Sequence, residues 1–251
     1  MRCAAFGVRT AKEIIRDPLS VTFGLGFPIV LLLLLSAIQA NLPVSLFEIE
    51  SLAPGIAVFG LAFMTLFSAT LIAKDRESSF MSRLLTTPLT SVDFMIGYTL
   101  PIFPIAVLQG VCCYAVAVIL GLKVTVGILY ALLAGIPVSL IFIALGLFFG
   151  SFLSVKQVGG ICGALLTNLT AWLSGVWFDL ELVGGAFKKI AYMLPFVHAV
   201  ELERAALRCD MAGFFPHIWW VTGYCLLLFA AAILMFLRTM RKGQCIKSEI
   251  Q

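Results

Sequence analysis

Charge is what this chain has least of. Asp, Glu, Lys and Arg make up 12% of its 251 residues, against about 25% in ordinary soluble domains, and 61% of the residues are hydrophobic. That balance excludes a soluble globular fold. The few charges are also gathered, leaving six blocks with none at all: 18–47, 51–73, 94–122, 124–155, 157–178 and 211–237. Each is long enough to span, since about 20 helical residues at about 1.5 Å apiece cross the roughly 30 Å of hydrocarbon in a bilayer. Polar and apolar residues do not alternate in them, which excludes a transmembrane barrel. Backbone groups in lipid must be satisfied within the chain, so blocks rich in Leu, Ile, Phe and Ala are expected to be helices. The fold expected is all-α, with six transmembrane helices in one domain over 1–251.

Other absences narrow the chemistry. The seven cysteines include the adjacent Cys112 and Cys113 but form no CxxC or Cys/His spacing, so they are read as packing residues. His198 and His217 have no Cys or carboxylate arranged with them as a metal or nucleophile set, and no catalytic or metal residue is assigned. A GxxxxGK[ST] phosphate loop is missing, and no polar segment could hold a nucleotide-binding domain. None of the 30 Asp, Glu, Lys and Arg residues lies inside a block, although an ion-coupled carrier needs an ionisable group there. The main polar residues in the blocks are Thr65, Ser68, Gln109, Thr167, Asn168 and Thr170; each either bridges helices or meets a ligand. Gly146 with Gly150, and Gly159 with Gly163, match GxxxG and mark two possible close helix contacts. The first block exceeds a 7–15-residue signal core and is expected to be retained.

What charge there is gives a direction. Six spans put both termini on one side, together with Arg2, Arg9, Lys12, Arg16, Lys74, Arg76, Arg83, Lys156, Arg238, Arg241, Lys242 and Lys247. The other side carries only Lys123, Lys188, Lys189, Arg204 and Arg208. The positive-inside bias predicts cytoplasmic termini in a cell (inner) membrane. Trp172, Trp177, Trp219 and Trp220 gather towards the opposite interface, as indole rings do.

Three segments between blocks look structured. In 1–18, Ala4, Val8, Ala11 and Ile15 repeat at helical spacing opposite Arg2, Arg9, Lys12 and Arg16, predicting an interfacial amphipathic helix that either anchors to anionic membrane lipid or docks a partner. Asp17-Pro18 ends it. In 74–92, charges crowd the start, Phe80 and Leu84 share a face, and Thr87-Pro88 stops the turn, so a short cytoplasmic helix or an ion-paired loop is expected. In 179–215, the spacing of Phe187, Ile190, Ala191 and Leu194, and then of Val197, Val200, Ala205 and Leu207, predicts two short helices too apolar to float in water, forming a re-entrant hairpin.

In its motifs the chain resembles the type-two export permeases of the ATP-binding-cassette (ABC) superfamily. Asp75-Arg76-Glu77, Leu84-Leu85 and Thr87-Pro88-Leu89 are similar to that family's loop after the second span, with Ser78-Ser79 where a glycine is common. Leu194-Pro195-Phe196 with Glu201 and Arg204 is similar to its segment before the last span, without the usual asparagine. The resemblance implies a permease with no catalytic site or cofactor of its own, ATP and Mg being bound by separate cytoplasmic ABC ATPase subunits. It also implies pairing with a second copy or close paralogue, and no nucleic-acid partner. Lys74, Asp75, Arg76, Glu77, Arg83 and Pro88 become the expected ATPase coupling residues, and Pro195, Phe196, Glu201 and Arg204 the expected outer gate. Phe59, Phe63 and Phe67, every fourth residue of the second block, either line a substrate path or pack as core, and so do Asn168 and Trp172. The expected function is export of an amphipathic small molecule such as a drug, peptide antibiotic or lipid-like compound. Alternatives are a polysaccharide or lipid-linked glycan exporter, a stand-alone carrier or channel, and an intramembrane enzyme or structural subunit.

Overall fold

A computed structural model describes residues 2–41, 47–78 and 90–248, and among these residues the fold is entirely helical. Five helices are long and apolar enough to cross a membrane: α2 (Pro18–Ala40), α3 (Ile49–Glu77), α4 (Ser91–Ile119), α5 (Val126–Gly150) and α11 (Met211–Ser248). Their outward faces carry exposed apolar side chains such as Phe23, Val30 and Leu34 on α2 and Leu226, Leu227 and Leu234 on α11. Contiguous apolar surface of this kind is costly in water and suits lipid.

The expected fifth block, 157–178, is not a single helix. A short α6 (Val155–Val158) leads into a π-helical stretch, Gly159–Leu166, and then α7 (Thr167–Leu173). Ser154 and Gln157 form a capping box at its start, a side-chain substitute for the helix bonds that the first amides lack. Inside it, Thr167 Oγ1 donates to Cys162 O at 3.2 Å, five residues back, which matches the wider π turn. The helix stops at Leu173, and Gly175 then takes a φ of +70°, a left-handed conformation suited to glycine.

α3 is the axis of the bundle. α2, α4, α5 and α10 (Pro195–Leu207) pack around it, and almost all of its residues from Leu52 to Ala73 are buried. Glycine sets the closest approaches. A Cβ on Gly146 would come 1.9 Å from Ser68 Oγ, and one on Gly150 would come 2.7 Å from Ala69 O, so the first GxxxG pair is a true α3–α5 contact. Gly159 faces open space and Gly163 has only ordinary contacts with Leu66 of α3; among the described residues the second pair sets no close helix approach. Thr65 Oγ1 donates to Phe142 O at 2.7 Å and Gln109 Nε2 to Ala57 O at 3.2 Å. These residues bridge helices, worth on average about 0.6 kcal/mol per bond in a membrane. Asn168 and Thr170 instead bond back to Ala164 O and Leu166 O on their own helical run.

α1 (Arg2–Ile15) lies against α4, but not through the apolar arc expected of it. Phe6, Thr10 and Ile14 are buried, whereas Val8 and Ile15 are 56% and 76% exposed. The Phe6 ring sits over Gly97, where a Cβ would come within 2.2 Å, and edge-on to Phe94 and Tyr98. The Val8 and Ile15 side is left exposed.

The segment 74–92 also differs from expectation. Lys74 to Glu77 are the last turn of α3, not a new helix, and Thr90 caps α4 with Asp93. The remainder, 79–89, with Arg83 and Pro88, lies outside the described residues. Across 179–215, α8 (Leu180–Val183), α9 (Gly185–Met193) and α10 follow one another, which includes the two helices expected there. α10 is buried on nearly every side by α5, α11 and α3.

Candidate functional site

Three of the residues expected to couple to an ATPase, Asp75, Arg76 and Glu77, also make contacts within the chain. Asp75 is 2% exposed. Arg9 on α1 reaches both its oxygens, at 2.6 and 2.8 Å, and the Tyr98 hydroxyl on α4 donates to it at 2.8 Å. Arg9 also pairs with Glu13 at 2.9 Å. A bidentate guanidinium–carboxylate pair closed by a phenol satisfies a carboxylate that burial would otherwise penalise heavily. Arg76 Nη2 donates to Leu153 O at 2.5 Å, and Glu77 Oε1 accepts from Val155 N at 2.9 Å, tying α3 to the turn before α6. Of these four, Lys74 and Glu77 are exposed, Arg76 is half-buried and Asp75 is buried. Two helices and one turn thus converge on the last turn of α3.

The aromatic stripe is mostly enclosed. Phe59 and Phe67 are buried and Phe63 half-buried. Phe27 of α2 meets Phe59 and Phe63 at 6.4 and 5.3 Å between ring centroids, and Trp177 meets Phe59 at 5.9 Å. Within this chain the stripe packs α3 against α2. Trp172, 55% exposed, and Asn168 point away from the core instead, so the structure does not bring the two groups of expected path residues together.

At the opposite end of α3, Arg204 of α10 joins three segments. It donates to Ser51 O at 3.2 Å, to Gly175 O at 3.1 Å and to Glu201 Oε1 at 2.8 Å. Beside it lies a cavity of about 420 Å³ walled by Trp177, Phe178, Tyr192, Glu201, Arg204 and Arg208. Pro195 opens α10 at its first turn, a position where the missing N–H costs nothing, and Phe196 packs on Phe142 at 6.0 Å. The four expected gate residues therefore lie on one helix that closes the bundle at this end.

Two groups escaped the sequence reading. His198 and His217 meet through their Nδ1 atoms at 2.9 Å, with Trp220 stacked on His198 and His198 Nε2 donating to Tyr192 O. Burial is the main influence on His198 and lowers its pKa. The second is Glu203, 2% exposed, whose Oε2 accepts from Tyr114 of α4 at 2.8 Å. The sequence places it outside every apolar block, yet α10 carries it into the bundle, overturning the expectation that no ionisable group enters there. One signal was available: Phe196, Val200, Glu203 and Leu207 share a helical face, and all are buried, so Glu203 interrupts an apolar stripe. Arg9 and Asp75, far apart in sequence, offered no such sign.

Among the described residues no His, Cys, Asp and Glu group could hold a metal ion. No curated protein sequence matches the chain closely. The family described as ABC-2 type transporter does match, over residues 2–208, which takes in α1, the α3 axis, the Asp75 cluster and the whole of α10, and the chain belongs to that family.

Proposed function

We propose that this chain is the permease of an ABC exporter, driven by separate cytoplasmic ATPase subunits and moving an amphipathic small molecule out of the cytoplasm or inner leaflet. The observation that carries the reading beyond family membership is α3. One unbroken helix joins the Arg204 junction to the Asp75 cluster, so a push on the segment that follows Glu77 is delivered to the helix under α10. Its 29 residues span about 43 Å at about 1.5 Å each, enough to connect both membrane faces. In this reading the run from α6 through the π segment to α7 is the sixth crossing, both termini are cytoplasmic, and α1 lies at the inner interface of a cell membrane with Val8 and Ile15 in lipid. The exposed face with Trp172 and Asn168 is where a second copy or close paralogue meets this chain. Lys74 and the segment with Arg83 and Pro88 meet the ATPase, and Asp75, Arg76 and Glu77 pass the motion to α1, α4 and the 151–155 turn. Cargo leaves only if it binds the outward state more weakly than the inward one.

Glycan export by the same architecture remains the nearest alternative cargo. Glu203 gives a stand-alone ion-coupled carrier one feature that the sequence denied it. Purification from the native membrane in mild detergent separates these readings. A stoichiometric ATPase partner whose hydrolysis responds to amphipathic compounds supports the exporter; stimulation by lipid-linked glycans alone moves the cargo assignment. A chain that purifies alone and moves solute in liposomes without ATP overturns the reading.

A further inference from the structure

Glu203 is the one fully enclosed carboxylate with no cation beside it among the described residues: its bonded partner is Tyr114, and no ion pair includes it. A small cavity of about 20 Å³ adjoins it, lined by Ala57 and Leu61 of α3, Gln109 and Tyr114 of α4, and Gly135 of α5. Gln109 is fully buried. Its Nε2 donates to Ala57 O and meets Cys113 Sγ, but its Oε1 has no partner. Gly135 lets the carboxylate in, since a Cβ there would be 3.2 Å from Glu203 Oε1.

We propose that Glu203, Tyr114 and Gln109 form a proton and water site that locks α10 into the bundle. Glu203 is the neutral acid while α10 is docked, and gives its proton to water when α10 lifts. The hydrogen-bond inventory closes with the neutral acid. Tyr114 donates to Glu203 Oε2; the protonated Oε1 donates to one water in the cavity; that water donates to Gln109 Oε1. A cavity needs about 10–15 Å³ to hold a water, and a buried water needs two or more polar partners, so this one has the room and the partners. An ionised Glu203 would keep its Tyr114 bond but remain a buried charge without a counter-ion, the costlier arrangement. Burial pushes Glu203 up to about 8, opposed by the Tyr114 bond.

The pH dependence follows in sign and size. A solvent-exposed glutamate titrates near about 4.3. The docked form is fully favoured below that value, and its docking constant falls about tenfold per pH unit until the docked group also ionises near 8. Tyr114 and Cys113 are the titratable groups of α4 that act on this site; α3 and α5 present apolar and glycine surface to it. His198 and His217 pair with each other nearer the start of α10.

The site does not depend on the cargo or on ATP, so its test is separate from that of the exporter reading. The full chain in lipid nanodiscs is titrated between about pH 7 and about pH 9, following the infrared carbonyl band of a protonated carboxylic acid and amide hydrogen exchange across α10. The expected result is a band that shifts on ¹³C-glutamate labelling, fades with a midpoint near 8, and is missing in Glu203→Gln. α10 exchange should rise with pH beyond the intrinsic rate in the native chain and stay flat in Glu203→Gln. Absence of the band in the labelled native chain throughout the window overturns the proposal, and so does the same excess exchange in Glu203→Gln. The labelled native chain decides the matter even if the variant does not fold.

Discussion

Breaking the Asp75 cluster one partner at a time gives three penalties, the largest at Arg9. Replacing Arg9 with Gln leaves a carboxylate that is 2% exposed without its cation. Loss of one partner of a buried pair costs about 3–5 kcal/mol, and because the Arg9 side chain is itself 36% exposed, solvent screening discounts this to about 2–3 kcal/mol. Asp75→Asn keeps an acceptor for Tyr98 and one for Arg9 and should cost about 1–2 kcal/mol. Tyr98→Phe removes a single charge-assisted bond, about 1.5 kcal/mol. In the double variant Arg9→Gln/Asp75→Asn the stranded charge is gone, so its cost should fall short of the sum by about 1–2 kcal/mol. The assay is hydrogen exchange of the α1 amides in nanodiscs, read as the free energy of α1 release. Since about 1.4 kcal/mol is tenfold in a constant, Arg9→Gln should speed release about 30- to 150-fold. Additive effects in the cycle, or an Arg9→Gln variant no looser at α1 than Tyr98→Phe, would refute the claim that this pair fastens α1 to α3.

Three further outcomes follow from the packing and the junctions. Gly146→Leu drives a side chain into Ser68 and should cost about 3 kcal/mol or more and collapse the folded yield, while Gly159→Leu, which faces open space, should leave the single chain's thermal unfolding within about 0.5 kcal/mol; equal losses in both would contradict the α3–α5 contact. Arg204→Lys should behave like Arg204→Ala in thermal unfolding, about 2–4 kcal/mol below the native chain, because an ammonium cannot reproduce the forked geometry that serves Ser51, Gly175 and Glu201 together; full rescue by lysine would show that charge alone matters. Reversing Arg76 or Glu77 should lower transport and ATPase association with membrane insertion intact, and should also raise proteolysis at 151–155, whose Leu153 and Val155 they hold; unchanged coupling in both variants would remove the coupling role.

How much was legible beforehand depended on whether a property is local. Five of the six apolar blocks became single membrane-length helices because length, hydrophobicity and the need to satisfy backbone groups in lipid are read one segment at a time. Asp17-Pro18 likewise acts within a turn, and the helices at α9 and α10 followed from their own spacing. The fifth block failed for a local reason of another kind: hydropathy cannot distinguish π from α winding, and three glycines among Gly159, Gly160 and Gly163 make the wider turn accessible.

By itself, then, the sequence determined that this is an α-helical membrane protein with short helices between its spans and motifs of a transporter family, since each of these rests on composition or short-range period. The tertiary structure alone decided which faces meet. It put Phe6 of α1 on α4, turned Asp75 inward onto Arg9 and Tyr98, set the Phe59 stripe against α2, and carried Glu203 into the bundle beside Tyr114 and Gln109. A helical period names a face without its direction. Direction is set by close packing and by the cost of stranding a buried polar group, and both depend on residues dozens of positions away.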